Sequence, residues 1–202
     1  MPRTKEQYEQ MRNATKQKIQ SAAMQLFVQK GFGSTNVQDI ADTAGISIGL
    51  LYRHYKSKEI LFDDLVDYAL AGLQKNIDIF VSTVSPKQAL DQFVKEIHSD
   101  MTTGEEFANL LILMAQSFLA GGGTSVKQTE VARLSDNMFH ATAQLIKKGQ
   151  ELGEFRSGDP DEMVVFFYST LHGLAMMKLM RKNNFTMPSP FILTSFLFKE
   201  GE

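Results

Sequence analysis

The sequence predicts an all-α protein of about nine helices, and three observations support this fold class. Apolar residues recur at intervals of three and four along most of the chain, as they do on one face of an α-helix. No stretch shows the sustained alternation of apolar and polar residues that is typical of strands. The 202 residues, of which 43% are hydrophobic and 22% are charged, suffice for a sizeable buried core.

The predicted helices begin and end at recognisable residues. Asn36 and Ser47 are suited to cap two short helices, and Gly45 is suited to a left-handed turn between them. Pro86 follows Ser85 at the predicted first helical position, where its missing N–H is tolerated. The predicted helices cover residues 19–31, 36–44, 47–52, 57–83, 86–101, 105–119, 126–152, 161–181 and 191–199.

Charge is distributed unevenly along the chain. Residues 1–58 contain nine Lys or Arg and four Asp or Glu, whereas residues 59–202 contain twelve and nineteen. A basic N-terminal segment on an acidic body indicates that the first segment meets a polyanion, although a solvated basic face would give the same balance. We therefore predict two domains, residues 1–58 and residues 59–202.

Composition also argues against several classes of protein. The chain has no Cys and its four His are scattered, so we expect no zinc site, no thiolate nucleophile, no other metal site and no cofactor. The N-terminus lacks the apolar core of a signal peptide, which predicts a cytoplasmic protein. The apolar run at 161–180 is interrupted by Ser169, His172 and Lys178, and we therefore expect no membrane span there.

Residues 36–55 have the pattern of a helix–turn–helix motif, with two short helices joined by a tight turn that contains Gly. Ile40 and Ala41 are expected to face a supporting helix, and Leu51 is expected to anchor the second helix from beneath. Small helical hairpins with no role in DNA binding share this pattern. The side chains left to face a groove of DNA are those of Ser47, Ile48, Gly49, Tyr52 and Arg53.

Residues 19–61 carry further positions that together resemble the DNA-binding region of the tetracycline-repressor (TetR) family. The matching runs are A-A-x-x-L-F at 22–27, G-F-x-x-T at 31–35, V-x-D-I-A at 37–41, A-G-I-S-x-G-x-L-Y at 44–52, and H-Y-K-S-K-E-x-L at 54–61. Segment 149–155, G-Q-E-x-G-E-F, is also similar to the family. The resemblance implies an N-terminal three-helix helix–turn–helix domain, followed by a C-terminal helical bundle for ligand binding and dimerisation.

The resemblance also implies which residues contact DNA. Three of these residues have an alternative role in which they do not contact DNA. Tyr55 would then be a core residue, Ser47 only a helix cap, and Lys58 only a solvated side chain. Ile48 departs from the polar residue often found at its position and is suited to a thymine methyl group, whereas Arg53 is suited to guanine or a phosphate. The predicted DNA-contacting residues are Thr35, Ser47, Ile48, Gly49, Tyr52, Arg53, His54, Tyr55 and Lys58.

The acidic body is predicted to bind a small, largely apolar molecule. Its Phe and Met side chains, among 15 Phe and 11 Met in the chain, are suited to an adaptable cavity, although ordinary core packing uses the same residues. Asn109 and Gln116 share one face of an otherwise apolar helix, where they point into a cavity or mark an exposed stripe. The predicted ligand-contacting residues are Phe93, Ile97, Asn109, Leu113, Gln116, Met138, Phe167 and His172.

The last two long helices are predicted to form a homodimer interface. Helix 161–181 has almost no face suited to water, and exposed apolar patches of that size usually mark an interface. Two helices from each subunit would form a four-helix bundle about a two-fold axis. The predicted interface residues are Ser169, Gly173, Met176, Met180, Ile192 and Phe196.

These features predict a transcriptional regulator rather than an enzyme. The expected protein is a homodimeric repressor that binds a palindromic operator in double-stranded DNA and is released by a small apolar effector. One alternative is an all-α enzyme, because Asp63, Asp64 and Asp67 form the D-D-x-x-D pattern that holds Mg²⁺ on diphosphate substrates. A second alternative is a DNA-binding protein with a filled core and no effector.

Overall fold

The computed structural model describes residues 4–119 and 121–199, and these residues form helices with no β-strand. A short 3-10 turn, Lys182–Asn184, follows the eighth helix. The predicted fold class, all-α with about nine helices, is confirmed. Within the described ranges the helices are α1 (Lys5–Lys30), α2 (Val37–Ala44), α3 (Ile48–His54), α4 (Lys58–Ser82), α5 (Pro86–Thr103), α6 (Glu106–Leu119), α7 (Ser125–Glu151), α8 (Pro160–Arg181) and α9 (Pro190–Thr194).

Helix α1 begins well before the apolar repeat that predicts it. The Thr4 hydroxyl accepts a hydrogen bond from the Gln7 backbone N–H, and the Gln7 side chain accepts one from the Thr4 N–H, which together form a capping box. The buried residues of α1 begin only at Ile19. The first half of the helix therefore has no buried face, and its sequence carries no apolar periodicity.

The helix–turn–helix motif forms as predicted. The Asn36 side chain accepts a hydrogen bond from the N–H of Asp39, and the Ser47 hydroxyl accepts one from the N–H of Leu50. Gly45 ends α2 in the left-handed conformation, with φ 66° and ψ 36°, which a residue with a Cβ adopts only at a cost.

The last helix is shorter than predicted. We expected residues 191–199 to be helical, but α9 ends at Thr194. Phe198 instead pairs with Phe155 in an isolated antiparallel bridge, and the two rings stack with centroids 5.3 Å apart. This pairing with a distant residue draws the C-terminal segment out of the helix.

The chain forms two compact units. The first comprises residues 4–68 together with 113–119 and 121–129, and the second comprises Ala69–Ile112 and residues 130–199. Helices α4, α6 and α7 contribute residues to both units. The first unit thus includes residues beyond 1–58, and the functional boundary after Lys58 stays a prediction.

Each unit has its own aromatic core. In the first unit the rings of Phe27, Phe32 and Phe62 lie within 5.0–5.6 Å of one another. In the second unit the ring of Phe93 lies 5.4 Å from Phe80 and 6.4 Å from Phe167. Edge-on and tilted aromatic contacts of this kind contribute beyond the burial of their area.

One stretch of the described chain, Pro160–Asn184, is long and apolar enough to cross a membrane, with a mean hydropathy of 1.4. This criterion considers length and composition only. A helix that lies at the interface between two subunits meets it equally well.

Candidate nucleic-acid interface

Helix α3 buries one face and exposes the other. Leu51 is buried against the first unit, whereas Ile48 and Tyr52 are 38% and 45% exposed. A Cβ added at Gly49 would meet no atom within 4 Å, so the space beside this face is open. The five residues predicted to face a groove, Ser47, Ile48, Gly49, Tyr52 and Arg53, are all exposed.

Thr35 is buried at the end of α1, and its contact with a phosphate stays a prediction. It is only 1% exposed, and its hydroxyl donates a hydrogen bond of 2.8 Å to the carbonyl of Gly31. The side chain therefore satisfies a carbonyl at the end of α1, which is a structural role.

Tyr55 is also buried, as the alternative that it is a core residue requires, and its contact with a phosphate stays a prediction. It is 4% exposed, and its hydroxyl donates to Asp64 Oδ2 at 2.5 Å. Burial, followed by the hydrogen bond to Asp64, raises the pKa of Tyr55 well above its ordinary range. Burial of Asp64 would raise its pKa, but hydrogen bonds from Tyr55, Lys16 and Gln20 outweigh this and lower the pKa of Asp64.

Lys58 holds the turn that precedes the motif. Its Nζ donates to the carbonyls of Phe32 and Thr35, both at 2.8 Å, and lies 4.2 Å from the centroid of the Phe32 ring. An ammonium has three donors, so one N–H is left after these two bonds. A phosphate contact by Lys58 stays a prediction.

His54 ends α3 beside basic residues that the sequence analysis did not identify. Burial, followed by the positive charges of Arg12 and Lys16, lowers the pKa of His54 below its ordinary value. Arg12 and Lys16 lie on α1, about forty positions earlier in the chain, and no local pattern relates them to His54. Only their positive charge and helical spacing could have suggested them.

Each of the three acidic residues of the D-D-x-x-D pattern forms hydrogen bonds or an ion pair with different residues. Asp63 accepts hydrogen bonds from the N–H and hydroxyl of Thr124, at 3.0 and 2.7 Å. Asp64 accepts from Tyr55, as described, and Asp67 pairs with the ammonium of Lys127. No group of three His, Asp or Glu in the described part of the chain is arranged to hold a metal ion.

The side chain of Gln116 is half-buried and hydrogen-bonded to the backbone, and its contact with a ligand stays a prediction. Its Oε1 accepts from the Phe32 N–H at 2.9 Å, and its Nε2 donates to the Phe27 carbonyl at 2.8 Å. These bonds fasten the end of α6 to the end of α1 inside the first unit. Leu113 is also buried and belongs to the first unit.

The other predicted ligand contacts lie in the second unit. Phe93, Ile97, Met138 and Phe167 are buried there, and Asn109 is half-buried. His172 was expected to face a cavity, but its side chain lies on the exposed side of α8. Its Nδ1 is 2.8 Å from the carbonyl of Tyr168.

Most of the predicted dimer contacts are exposed in the second unit. Ser169, Gly173 and Met176 are exposed on α8, and a Cβ added at Gly173 would meet no atom within 4 Å. Met180 and Ile192 are 70% and 62% exposed. The sixth predicted residue, Phe196, is half-buried because its ring packs 4.8 Å from that of Phe166 in the same subunit.

Known proteins resemble both the motif and the whole fold. Residues 19–65 match the sequence model of "Bacterial regulatory proteins, tetR family". The chain is 33% identical over 103 residues to the uncharacterized HTH-type transcriptional regulator YerO of Bacillus subtilis, which covers 50% of this chain and 36% of that protein. It is 38% identical over 79 residues to the HTH-type transcriptional repressor KstR2 of Mycobacterium tuberculosis, covering 39% and 40% of the two chains.

These sequence matches span less than half the length of the two curated relatives. The crystal structure of the MbdR regulator from Azoarcus sp. CIB shares the fold over a longer range. It has a TM-score of 0.75 at 24% identity and covers 90% of this chain and 95% of that one. The matching family and relatives are transcriptional regulators, and none supports the magnesium-dependent enzyme. Residues 19–65 therefore carry the sequence pattern of the tetR family of bacterial regulatory proteins, and the chain shares its fold with a solved regulator.

Proposed function

We propose that the protein is a cytoplasmic transcriptional repressor that binds a palindromic operator as a homodimer and releases it when a small, largely apolar effector binds. The observation that carries the DNA-binding role is the exposed face of α3. A seven-residue helix that leaves an Ile and a Tyr open to solvent beside an Arg has a surface suited to base edges and thymine methyl groups.

The second unit supports the effector site. Phe93 and Phe167 are buried there in ring contact, and Ile97 and Met138 are also buried in this unit. Apolar side chains of this kind line most small-molecule sites, and Met adapts readily to different ligand shapes. An effector that binds the DNA-free conformation more tightly than the DNA-bound conformation lowers the affinity for DNA. The coupling free energy between the two ligands is about 1–3 kcal/mol in typical cases.

Selection of operator sequences from a random duplex library tests the proposal directly. We expect enrichment of a palindrome whose half-sites lie about 34–36 Å apart, one turn of DNA. Tyr52→Ala and Arg53→Ala should change the selected bases and each cost about 1–3 kcal/mol of discrimination. Lys75→Ala removes an exposed charge from the second unit and serves as the control.

The same bound duplex provides the test for the effector. Apolar compounds that raise the melting temperature of the protein should also release the selected operator. If the selection enriches no palindrome, the result contradicts the proposal that the protein is a repressor. A selected operator that no stabilising compound releases supports the alternative without an effector.

A further inference from the structure

A groove of about 730 Å³ lies within the second unit, between the second half of α4 and α7. Ile77 and Phe80 of α4 and Leu145 of α7, which are otherwise buried, form its apolar lining. The volume is in the range of small-molecule sites, about 300–1,000 Å³. None of the eight residues predicted to contact a ligand lines this groove, so it is a different site from the buried cluster around Phe93.

Val81 of α4 extends the apolar lining to the surface of the protein. Its side chain lines the groove and is nevertheless 71% exposed. At the opposite side of the lining, the ring of Phe80 packs edge-on against that of Phe93, with centroids 5.4 Å apart. An apolar molecule in the groove would therefore contact the aromatic core of the second unit and would also cover Val81.

The α7 side of the groove carries polar side chains that have no partner in the protein. Asn137, His140, Gln144 and Lys147 follow one another at intervals of three and four, which places them along one face of α7. None of them makes a hydrogen bond or an ion pair within the part of the chain that the structure describes. Amide, imidazole and ammonium groups can all donate a hydrogen bond to a carboxylate oxygen.

The charge of the lining is opposite in sign to that of the segment around it. Residues 59–202 contain more acidic than basic residues, but the groove is lined by Lys147, Lys148 and a single acid, Glu151. The Nζ of Lys148 donates to the carbonyl of Thr83 at 2.6 Å, and its charge lies in the last turn of α7, where it offsets the helix dipole. The ammonium of Lys147 has no such contact, so a ligand with one negative charge complements the lining.

We propose that this groove binds an apolar molecule that carries one carboxylate. The apolar part of the ligand lies against Ile77, Phe80 and Leu145, and the carboxylate lies at Lys147. This inference does not rest on the proposed function, because the groove needs no DNA to be formed or occupied.

Calorimetric titration at neutral pH with decanoate, 1-decanol and decyltrimethylammonium tests the ligand class. The three molecules share one alkyl chain and differ in the charge of the head group. We expect decanoate to bind most tightly and decyltrimethylammonium most weakly. Octanoate should bind more weakly than decanoate by about fourfold for each methylene lost from the apolar lining.

Two pairs of exposed variants test the location. Lys147→Gln should weaken decanoate by about two- to fivefold, the range of an exposed ion pair, and should leave 1-decanol unchanged. Lys75→Gln is its control, because Lys75 is an exposed cation of α4 that does not line the groove. Val81→Asp should weaken decanoate and 1-decanol alike, whereas Val84→Asp, also exposed but outside the groove, should weaken neither.

Three results overturn this inference. A wild type that does not bind decanoate refutes the site. Equal affinities for the three head groups refute the role of charge. Decanoate binding that is the same in Lys147→Gln and Val81→Asp as in the wild type places the ligand elsewhere in the protein. All three leave the proposed DNA binding intact, since the titrations contain no DNA, and failure to select an operator leaves the groove intact.

Discussion

The Tyr55 hydroxyl forms its hydrogen bond inside the first unit, and it is therefore expected to affect stability rather than DNA affinity. Tyr55→Phe keeps the buried ring but removes the donor to Asp64. We expect the free energy of unfolding to fall by about 1.5–3 kcal/mol, the range for a hydrogen bond to a charged group. Urea unfolding measures the change, and DNA binding by the same variant should remain within about twofold of the wild type.

Tyr52→Phe is the matched control, because it removes a hydroxyl from the exposed face of α3. Its stability should be unchanged, while its DNA affinity or selected sequence changes.

The contribution of Asp64 to stability also has a defined pH dependence. Because the folded state lowers the pKa of Asp64, its stabilisation is complete above the unfolded value of about 3.9 and is lost as pH falls through the folded value. If Tyr55→Phe instead keeps its full stability and binds DNA more weakly, the result would support the predicted contact between Tyr55 and a phosphate.

At the scale of helices and turns, the sequence was most informative where the signals are local. Asn36, Gly45 and Ser47 act within three or four residues of themselves, and they correctly predicted both helices of the motif. The hydrogen bonds of Gln116 could not be predicted, because its partners lie 84 and 89 residues away in the chain. The predicted C-terminal end of the last helix was wrong, because it depends on the pairing of Phe198 with Phe155.

In the glycine segment 121–123, which follows α6, the middle residue is closely packed. A Cβ at Gly122 would lie 2.6 Å from the ring of Phe62, and the Gly122 N–H donates to the Gln116 carbonyl. We expect Gly122→Ala to lower the free energy of unfolding by about 1–3 kcal/mol, because it overpacks the aromatic core of the first unit. Urea unfolding followed by circular dichroism measures this loss.

Gly72→Ala provides the control for that variant. Gly72 lies within α4 with open space around its Cα, so Ala should stabilise the protein by about 0.5–1 kcal/mol. Equal stabilities for the two variants would show that the backbone around Gly122 moves to accept the added methyl group with no loss of stability.

At the scale of the whole molecule, the exposed apolar surface of α8 and α9 predicts an obligate dimer. The side chains of Phe166, Met176 and Met180 on α8 and of Phe191 and Ile192 on α9 are all exposed in a single subunit. Exposed apolar side chains in this number are typical of subunit interfaces, and Gly173 leaves room for the backbone of a partner helix to approach. A two-fold axis through this surface would produce the symmetry that a palindromic operator requires.

Ile192→Asp places a charge on this surface without removing a contact from the core of its own subunit. The variant should be monomeric at micromolar concentration and should bind the operator weakly, because an unpaired buried charge costs about 3–5 kcal/mol at an interface. Gly173→Arg should act in the same way through steric overlap. Val84→Asp, at an exposed apolar residue outside α8 and α9, should remain dimeric. Sedimentation equilibrium distinguishes the states, since the dimer has twice the 22.7 kDa mass of the chain. A wild type that sediments as a monomer at this concentration, yet binds a full palindrome tightly, would exclude α8 and α9 as an obligate interface and leave their apolar surface without a partner.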